Sequence, residues 1–351
     1  MQAMLINKIQ EQKKSMLIQG GKFNKIVESG DMSGLEMLSQ RGQWEECLNL
    51  ADKQGPEVLN TYLMKFAKTF LQQGQFKETA RVLVRYNCPA IQQILPVYKT
   101  ISVEVLAMDN AVELAVLKDM LQRLIENLEA QVDRSNPIFA EFYRFLVITH
   151  LLTMKQDCSK HGLRNVSAKL TSCLLRYTKE IRADKAYFDA GTACRNAGLN
   201  DSAFIYFNRY IDLYDAIDDP DNAGGIDNSE FEHTDIPSPF EIPLAEKNII
   251  SPDERDQIRD WVLEINMDGT VGQSLPNRRC EHCGCEVYAC ALTCGNCQNN
   301  WDPCIITGLP LVKSDAVHCK ICNKGAIREH WNDFIGATMH CPWCKSMQTQ
   351  Y

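Results

Sequence analysis

Four Cys-x-x-Cys pairs, Cys280/Cys283, Cys294/Cys297, Cys319/Cys322 and Cys341/Cys344, constrain this chain more than any other feature of its sequence. Eleven of the 16 cysteines lie in the last 72 residues, where a short, loop-rich segment needs a cross-link in place of a large apolar core. Each pair can form a tight turn that aims two thiolates at one ion, and two such turns complete a tetrahedral site. Two zinc ions are therefore expected. Ten residues separate the first two pairs, as in a zinc ribbon, and eighteen separate the last two, within the usual spacing of a four-cysteine site. The expected pairing is sequential, first with second and third with fourth, and an interleaved cross-brace is the alternative. An iron–sulfur cluster or a redox dithiol would draw on the same residues.

Full four-cysteine ligation leaves no open coordination position, so these sites are expected to be structural rather than catalytic. His282, His318 and His340 adjoin cysteines, but eight thiols already fill two sites. Cys285, Cys290 and Cys304 are left over and read as buried packing, as do Cys47, Cys88, Cys158, Cys173 and Cys194. The start of the chain lacks the apolar run and cleavage pattern of a secretory signal. The most apolar segment, FYRFLVITHLLTM at 142–154, is too short and too polar to span a bilayer. A soluble chain in a reducing interior is expected, where closely spaced cysteines are more often metal ligands than disulfides.

Residues 1–217 read almost entirely as helix, because apolar residues recur at three- and four-residue intervals. One wide stripe runs from Val112 to Leu128 and stops before the Asn136-Pro137 pair. A weak repeat appears in RGQWEECLNLA (41–51), QGQFKETARVL (73–83) and AGLNDSAFIYF (197–207), each with a Gly before a polar turn and an amphipathic helix. Its period is close to that of a tetratricopeptide hairpin, about 34 residues. One hairpin cannot bury both apolar faces, so a stacked solenoid is expected. An irregular helical bundle is the alternative, since 84–184 shows no clear repeat.

The formal charge of −8 is concentrated in residues 215–241, which hold nine Asp or Glu and no Lys or Arg. The rest is nearly neutral, so no nucleic-acid surface is expected. The first half of this acidic stretch reads as a flexible linker. Its second half, with Phe231, Ile236, Phe240, Ile242 and Leu244 among prolines, is expected either as linker or lying along a neighbouring surface. Ser251, Pro252 and Glu254 then form a helix start, and Ile258, Trp261, Val262 and Ile265 give that helix a face that should dock.

In 302–344, DPCIITGLPL, the HCKIC turn, the amphipathic AIREHWNDFI and CPWC follow one another. This order resembles the U-box and RING modules that recruit ubiquitin-conjugating enzymes. The resemblance implies a partner-binding face at Ile305 or Ile306, Trp331 and Pro342. A full RING would need a second metal site at Cys304 and Thr307, and Thr is not a zinc ligand, so a hybrid that keeps one zinc is expected. Ile306 and Trp331 could equally build the small core.

FIYFNRYIDLYDAI (204–217), HTDIPSPFEIPL (233–244), ERDQIRDWVLEINMD (254–268) and CIITGLPLVKSDAVHCKICNKGAIREHWNDFI (304–335) occur in that order. Together they resemble the C-terminal region of the intraflagellar transport 172 family. That resemblance implies a ciliary scaffold at the cilium or flagellum and its base, whose partners are other subunits of the transport trains. The expected fold is mostly α: a tetratricopeptide-like solenoid at 1–217, an acidic linker at 218–250 and a docking helix with its connection at 251–275. A zinc-ribbon-like segment at 276–301 and a U-box/RING-like α+β module at 302–351 complete it. No phosphate loop, nucleophile motif or two-His zinc helix is present, so a non-catalytic scaffold is expected. The alternative is ubiquitin or ubiquitin-conjugating-enzyme binding, with ligase-type transfer, by the last module.

Overall fold

A computed structural model describes every residue except 1, 21, 29, 30, 221–224, 268, 270 and 273. Part of the acidic linker (221–224) and part of the connection (268, 270, 273) therefore lie outside the described residues. Fourteen α-helices occur among the described residues: α1 (Gln2–Gln19), α2 (Phe23–Glu28), α3 (Ser33–Gln40), α4 (Trp44–Gln54), α5 (Pro56–Gln72), α6 (Phe76–Arg85) and α7 (Leu95–Met108). They continue with α8 (Ala111–Glu129), α9 (Pro137–Lys160), α10 (Arg164–Leu174), α11 (Ala183–Asn196), α12 (Asn200–Asp218), α13 (Pro252–Met267) and α14 (Arg328–Thr338). The strands are two short antiparallel hairpins, β1 (Asn277–Arg279) with β2 (Glu286–Tyr288) and β3 (Ala316–His318) with β4 (Gly325–Ile327). Among the described residues, no helix is long and apolar enough to cross a membrane.

The chain divides into two compact units. The first comprises Met1–Val105 and Asp119–Phe142. In it, successive helices α3 to α6 pack on one another around Leu35, Leu48, Leu63, Phe66 and Leu83. Trp44 meets Phe66 edge-on at 5.6 Å, and Phe66 lies 4.2 Å from Phe70.

The second unit comprises Leu106–Lys118 and Tyr143–Tyr351. Helices α10 to α13 pack in succession here, and a group of four charges, Asp109, Lys155, Lys185 and Asp189, is paired at 2.7 to 3.5 Å. Gly191 lies so close to the Phe207 ring that an added Cβ would come within 2.5 Å of it, which is why only glycine fits between α11 and α12.

The predicted Gly turns are present, and one more joins them. Gly42, Gly74 and Gly198 have φ of 72°, 70° and 75°, the left-handed conformation that glycine adopts at little cost. In each, the next residue's amide reaches back five residues to close the preceding helix. Gly162 repeats this at φ 67°, with the Leu163 amide bonded to Cys158 O at 3.0 Å. The stretch 84–184 therefore does carry one copy, at 161–170. Asn136-Pro137 also does more than end a helix: Asn136 Oδ1 accepts the Ile138 amide at 2.9 Å and starts α9. Val112, placed on the apolar stripe from sequence, is exposed.

Around Phe231, Ile236 and Ile242 the stretch after α12 acts as a strap rather than a loose linker. Phe231 is buried, 5.8 Å from the Tyr187 ring and 4.4 Å under the Arg209 guanidinium. Ile236 and Ile242 are buried too, whereas Phe240 and Leu244 are exposed, so of the five apolar residues only three lie along a neighbouring surface. The Ser251 hydroxyl accepts the Glu254 amide at 3.2 Å, as the helix start predicts. α13 then packs on α12 through Ile258 and Val262, with Trp261 5.4 Å from Phe207.

Candidate metal centres

Each Cys-x-x-Cys pair sits at the tip of a small hairpin. β1 and β2 flank the turn at 280–285, and β3 and β4 flank that at 319–324. Isolated bridges Thr293↔Asn300 and His340↔Met347 flank the other two. In every turn the first cysteine's carbonyl accepts the amide four residues on, and its own amide bonds the carbonyl five residues on. These distances run from 2.8 Å at Cys280 to 3.0 Å at Cys319. The fifth position has positive φ: 75° at Gly284, 57° at Gln298, 54° at Asn323 and 60° at Lys345. Gln and Lys tolerate that region poorly, so the turn overrides local preference there.

The eight sulfurs fall into two groups of four, Cys280/Cys283/Cys294/Cys297 and Cys319/Cys322/Cys341/Cys344, each within 4.8 Å. Cys280 and Cys297 are 3.8 Å apart, Cys283 and Cys294 3.7 Å, Cys319 and Cys344 3.7 Å, and Cys322 and Cys341 3.8 Å. A tetrahedron with metal–sulfur bonds of about 2.3 Å has edges of about 3.8 Å, so both groups have the dimensions of a zinc tetrathiolate. The grouping is sequential rather than cross-braced within the eight.

Thiolate chemistry agrees with that fit. The Cys285 amide and the Asn296 side chain hold the Cys283 thiol down to about 6. The Asn299 amide pulls Cys297 the same way, yet burial and the sulfurs of Cys294, Cys283 and Cys280 push it up to about 12. Four thiolates this close repel one another, and a divalent cation removes that conflict. Around the first group the packing is small: Cys280, Val287, Cys294 and Trp301, with the Arg278 guanidinium 3.9 Å above the Trp301 ring.

A fifth turn, at 304–309, repeats the backbone of the other four. Gly308 N bonds Cys304 O at 2.8 Å, Cys304 N bonds Leu309 O at 2.7 Å, and Gly308 has φ 75°. Its second ligand position is Thr307. Cys304 Sγ accepts the Ile306 and Ile327 amides, both at 3.4 Å. Thr307 Oγ1 lies 3.2 Å from His330 Nδ1, and Lys169 Nζ lies 2.9 Å from His330 Nε2. Lysine can only donate, so Nε2 accepts and Nδ1–H donates to Thr307. Burial and then the Lys169 charge lower His330 to about 4, which keeps it neutral. A hydrogen-bond chain thus joins α10 to α14 and to the fifth turn.

Of the residues expected on a partner-binding face, Ile305, Ile306 and Trp331 are buried and Pro342 is half-buried. They do not form an exposed patch. Trp331 belongs to the core of its own unit: its Nε1 donates to Thr349 O at 3.2 Å, and its ring lies 6.0 Å from Tyr351. Helices α8, α9 and α10 cover the others. His150 Nε2 donates to Ile305 O at 2.6 Å, Lys118 Nζ to Pro342 O at 2.9 Å, and Arg176 to Gly308 O at 2.8 Å. A Cβ on Gly308 would meet Cys173 Cβ at 3.1 Å and Leu151 Cδ1 at 3.2 Å.

Arg176, just after α10, is the residue that sequence reasoning missed. Besides Gly308 O it donates to Cys290 O, and it pairs with Asp235 of the strap at 3.2 Å. Asp235 in turn accepts the Leu292 amide at 3.2 Å. One buried guanidinium therefore joins the strap, the first cysteine hairpin pair and the fifth turn. No local pattern around Leu175-Arg176-Tyr177 signals this. Of the leftover cysteines, Cys290 and Cys304 are buried as expected, whereas Cys285 is half-buried in the first turn.

No family model matches the chain. Among curated proteins it is 34% identical over 349 residues, 94% of its length, to intraflagellar transport protein 172 of Chlamydomonas reinhardtii. This chain is related to the intraflagellar transport 172 proteins. The human homologue is 32% identical over 95% of the chain, and the intraflagellar transport protein osm-1 of Caenorhabditis elegans 25% over 94%. The chain spans 19% of the length of these intraflagellar transport relatives, and the similarity is to their C-terminal region. With only 5–6% of the chain left uncovered, it also extends over most of residues 1–184, for which the motifs quoted above carried no specific resemblance.

Proposed function

We propose that this chain is a non-catalytic scaffold portion of an intraflagellar transport subunit in cilia, where it binds other train subunits. The observation that carries the reading is the similarity to intraflagellar transport 172 proteins along nearly the whole chain, helices and cysteine-rich tail alike. The proposed division is a tetratricopeptide-like solenoid at 1–217, the strap-containing stretch at 218–250, the docking helix and connection at 251–275, and two zinc-stapled segments at 276–301 and 302–351. Zinc would be held by the two groups of four cysteines as a structural ion. A tagged chain expressed in ciliated cells should enter cilia and co-purify with train subunits. Exclusion from cilia, with normal expression, would count against the scaffold reading.

A second reading concerns the last segment alone. The turn at 304–309, the metal turns at 319–324 and 341–346 and α14 between them support a U-box/RING-like unit that binds a ubiquitin-conjugating enzyme through Ile305, Ile306 and Pro342. Titration of the purified chain with a panel of such enzymes tests it, with Ile306→Ala and Pro342→Ala expected to weaken any binding at least tenfold. Binding that both variants leave unchanged would remove that face from consideration.

A further inference from the structure

The turn at 304–309 and the Pro342 edge are held by a particular kind of contact. Three hydrogen bonds reach them from α8, α9 and the residues just after α10, each from a basic or imidazole side chain to a main-chain carbonyl: Lys118 to Pro342 O, His150 to Ile305 O, Arg176 to Gly308 O. The His150 ring also lies 4.7 Å from the Trp343 ring, and Lys324 Nζ donates to Tyr143 Oη at 3.1 Å. By contrast, the last segment's own core, with Val317, Ala326, Trp331, Phe334 and Ile335, is apolar and held by α14, β3 and β4. The second metal group closes entirely within residues 319–344.

We propose that the docked arrangement is a closed state, in which the face of residues 302–351 that would meet a ubiquitin-conjugating enzyme is stored against α9 and α10. The inference rests on the second reading above. Two physical features make release without unfolding the natural consequence. Lys and Arg donors and main-chain carbonyls regain hydrogen bonds from water when they separate, whereas an apolar core does not. The second thiol group closes among residues 319–344 alone, so that closure draws on no residue of α8, α9 or α10. His150 adds a weak point: Nδ1 is buried with no hydrogen-bond partner among the described residues. The strap takes part as well, because Asp235 pairs with the same Arg176 that holds Gly308. A train partner that displaced the strap would loosen the dock by removing that counter-charge.

Two substitutions at the dock, Lys118→Met and His150→Phe, test the proposal in the full chain. Opening is read from thiol labelling of Cys173, which lies under Gly308, with Cys158 on α9 as the control for general unfolding. Zinc content reports the integrity of the tail. Expected is roughly tenfold faster labelling of Cys173, unchanged Cys158 and zinc, and a comparable gain in affinity for a fluorescent ubiquitin-conjugating enzyme, as when a minor competent state is made dominant. Equal, measurable binding by native chain and variants would overturn the stored face while leaving the partner reading intact. Faster Cys173 labelling with no binding by either variant would overturn the partner reading, and the closed state with it. Unchanged Cys173 labelling and unchanged affinity in both variants would show that these contacts do not hold the dock, overturning the inference.

Discussion

The turns at 280–285 and 304–309 share the same pair of backbone hydrogen bonds, at 2.7 to 2.8 Å, and the same φ of 75° at their glycine. They differ in what completes them. The first presents Cys280 and Cys283 to two more thiols, 3.7 and 3.8 Å away, with the dimensions of a metal site. The second presents Cys304 and Thr307, whose partners are amides and a neutral His330 that leans on Lys169. Backbone shape is thus independent of the cross-link it carries. The thiol group joins its turns to one another within the segment, while the hydrogen-bond chain ties the fifth turn to a helix from far earlier in the sequence.

The comparison breaks first at the metal. Cys283→Ser or Cys322→Ser should each cost one of two zinc ions and unfold the hairpins around that group, since structural zinc contributes apparent binding free energies of about 10–16 kcal/mol. Elemental analysis and proteolysis of the tail check this, and a chain that binds no zinc under reducing conditions would end the metal reading. Next comes Arg176→Ala, which strands Asp235 and the carbonyls of Gly308 and Cys290 in a buried site. It should destabilise the second unit by about 3–5 kcal/mol in urea unfolding while leaving zinc content at its native value.

Acid sharpens the contrast further. His330 must stay neutral when folded, with its value lowered from 6.5 to about 4. The unfolded chain therefore binds a proton more readily, and stability is full above about pH 6.5 and declines as pH falls toward 4. The loss should be about 1.4 kcal/mol by pH 5.5. His150, pushed down by burial and then Lys118, acts in the same direction. A His330→Gln variant whose stability changes as steeply as native between pH 7 and 5.5 would refute this role. The smallest effect is expected in the helices: Gly162→Ala, with open space around it but φ 67°, should cost about 1 kcal/mol through backbone strain alone. A neutral result would mean that the turn relaxes.

Much of this was legible where the signal is local. Cysteine spacing pointed to two groups of four because a two-residue gap is itself the geometry of the turn. Gly42, Gly74 and Gly198 marked helix junctions because a left-handed residue there nearly requires glycine. Gly162 escaped because Lys160-His161-Gly162-Leu163 lacks the aromatic and acidic residues that flagged the first two copies. Ile306 and Trp331 were recognised as important apolar residues, but not which surface would cover Ile306.

The sequence by itself determined the four Cys-x-x-Cys turns, the three glycine junctions and the eight candidate thiols, since each depends on residues within one turn, and it left open which pairs share a group. Only the tertiary structure decided that the fifth turn faces inward. That outcome depends on Lys118, His150, Lys169 and Arg176, which sit 132 to 224 positions from the atoms they bond in the last segment. A cation's partner at that distance leaves no periodicity or spacing to read. It exists because folding brings main-chain carbonyls of one segment against donors of another, where a buried carbonyl must find a hydrogen bond.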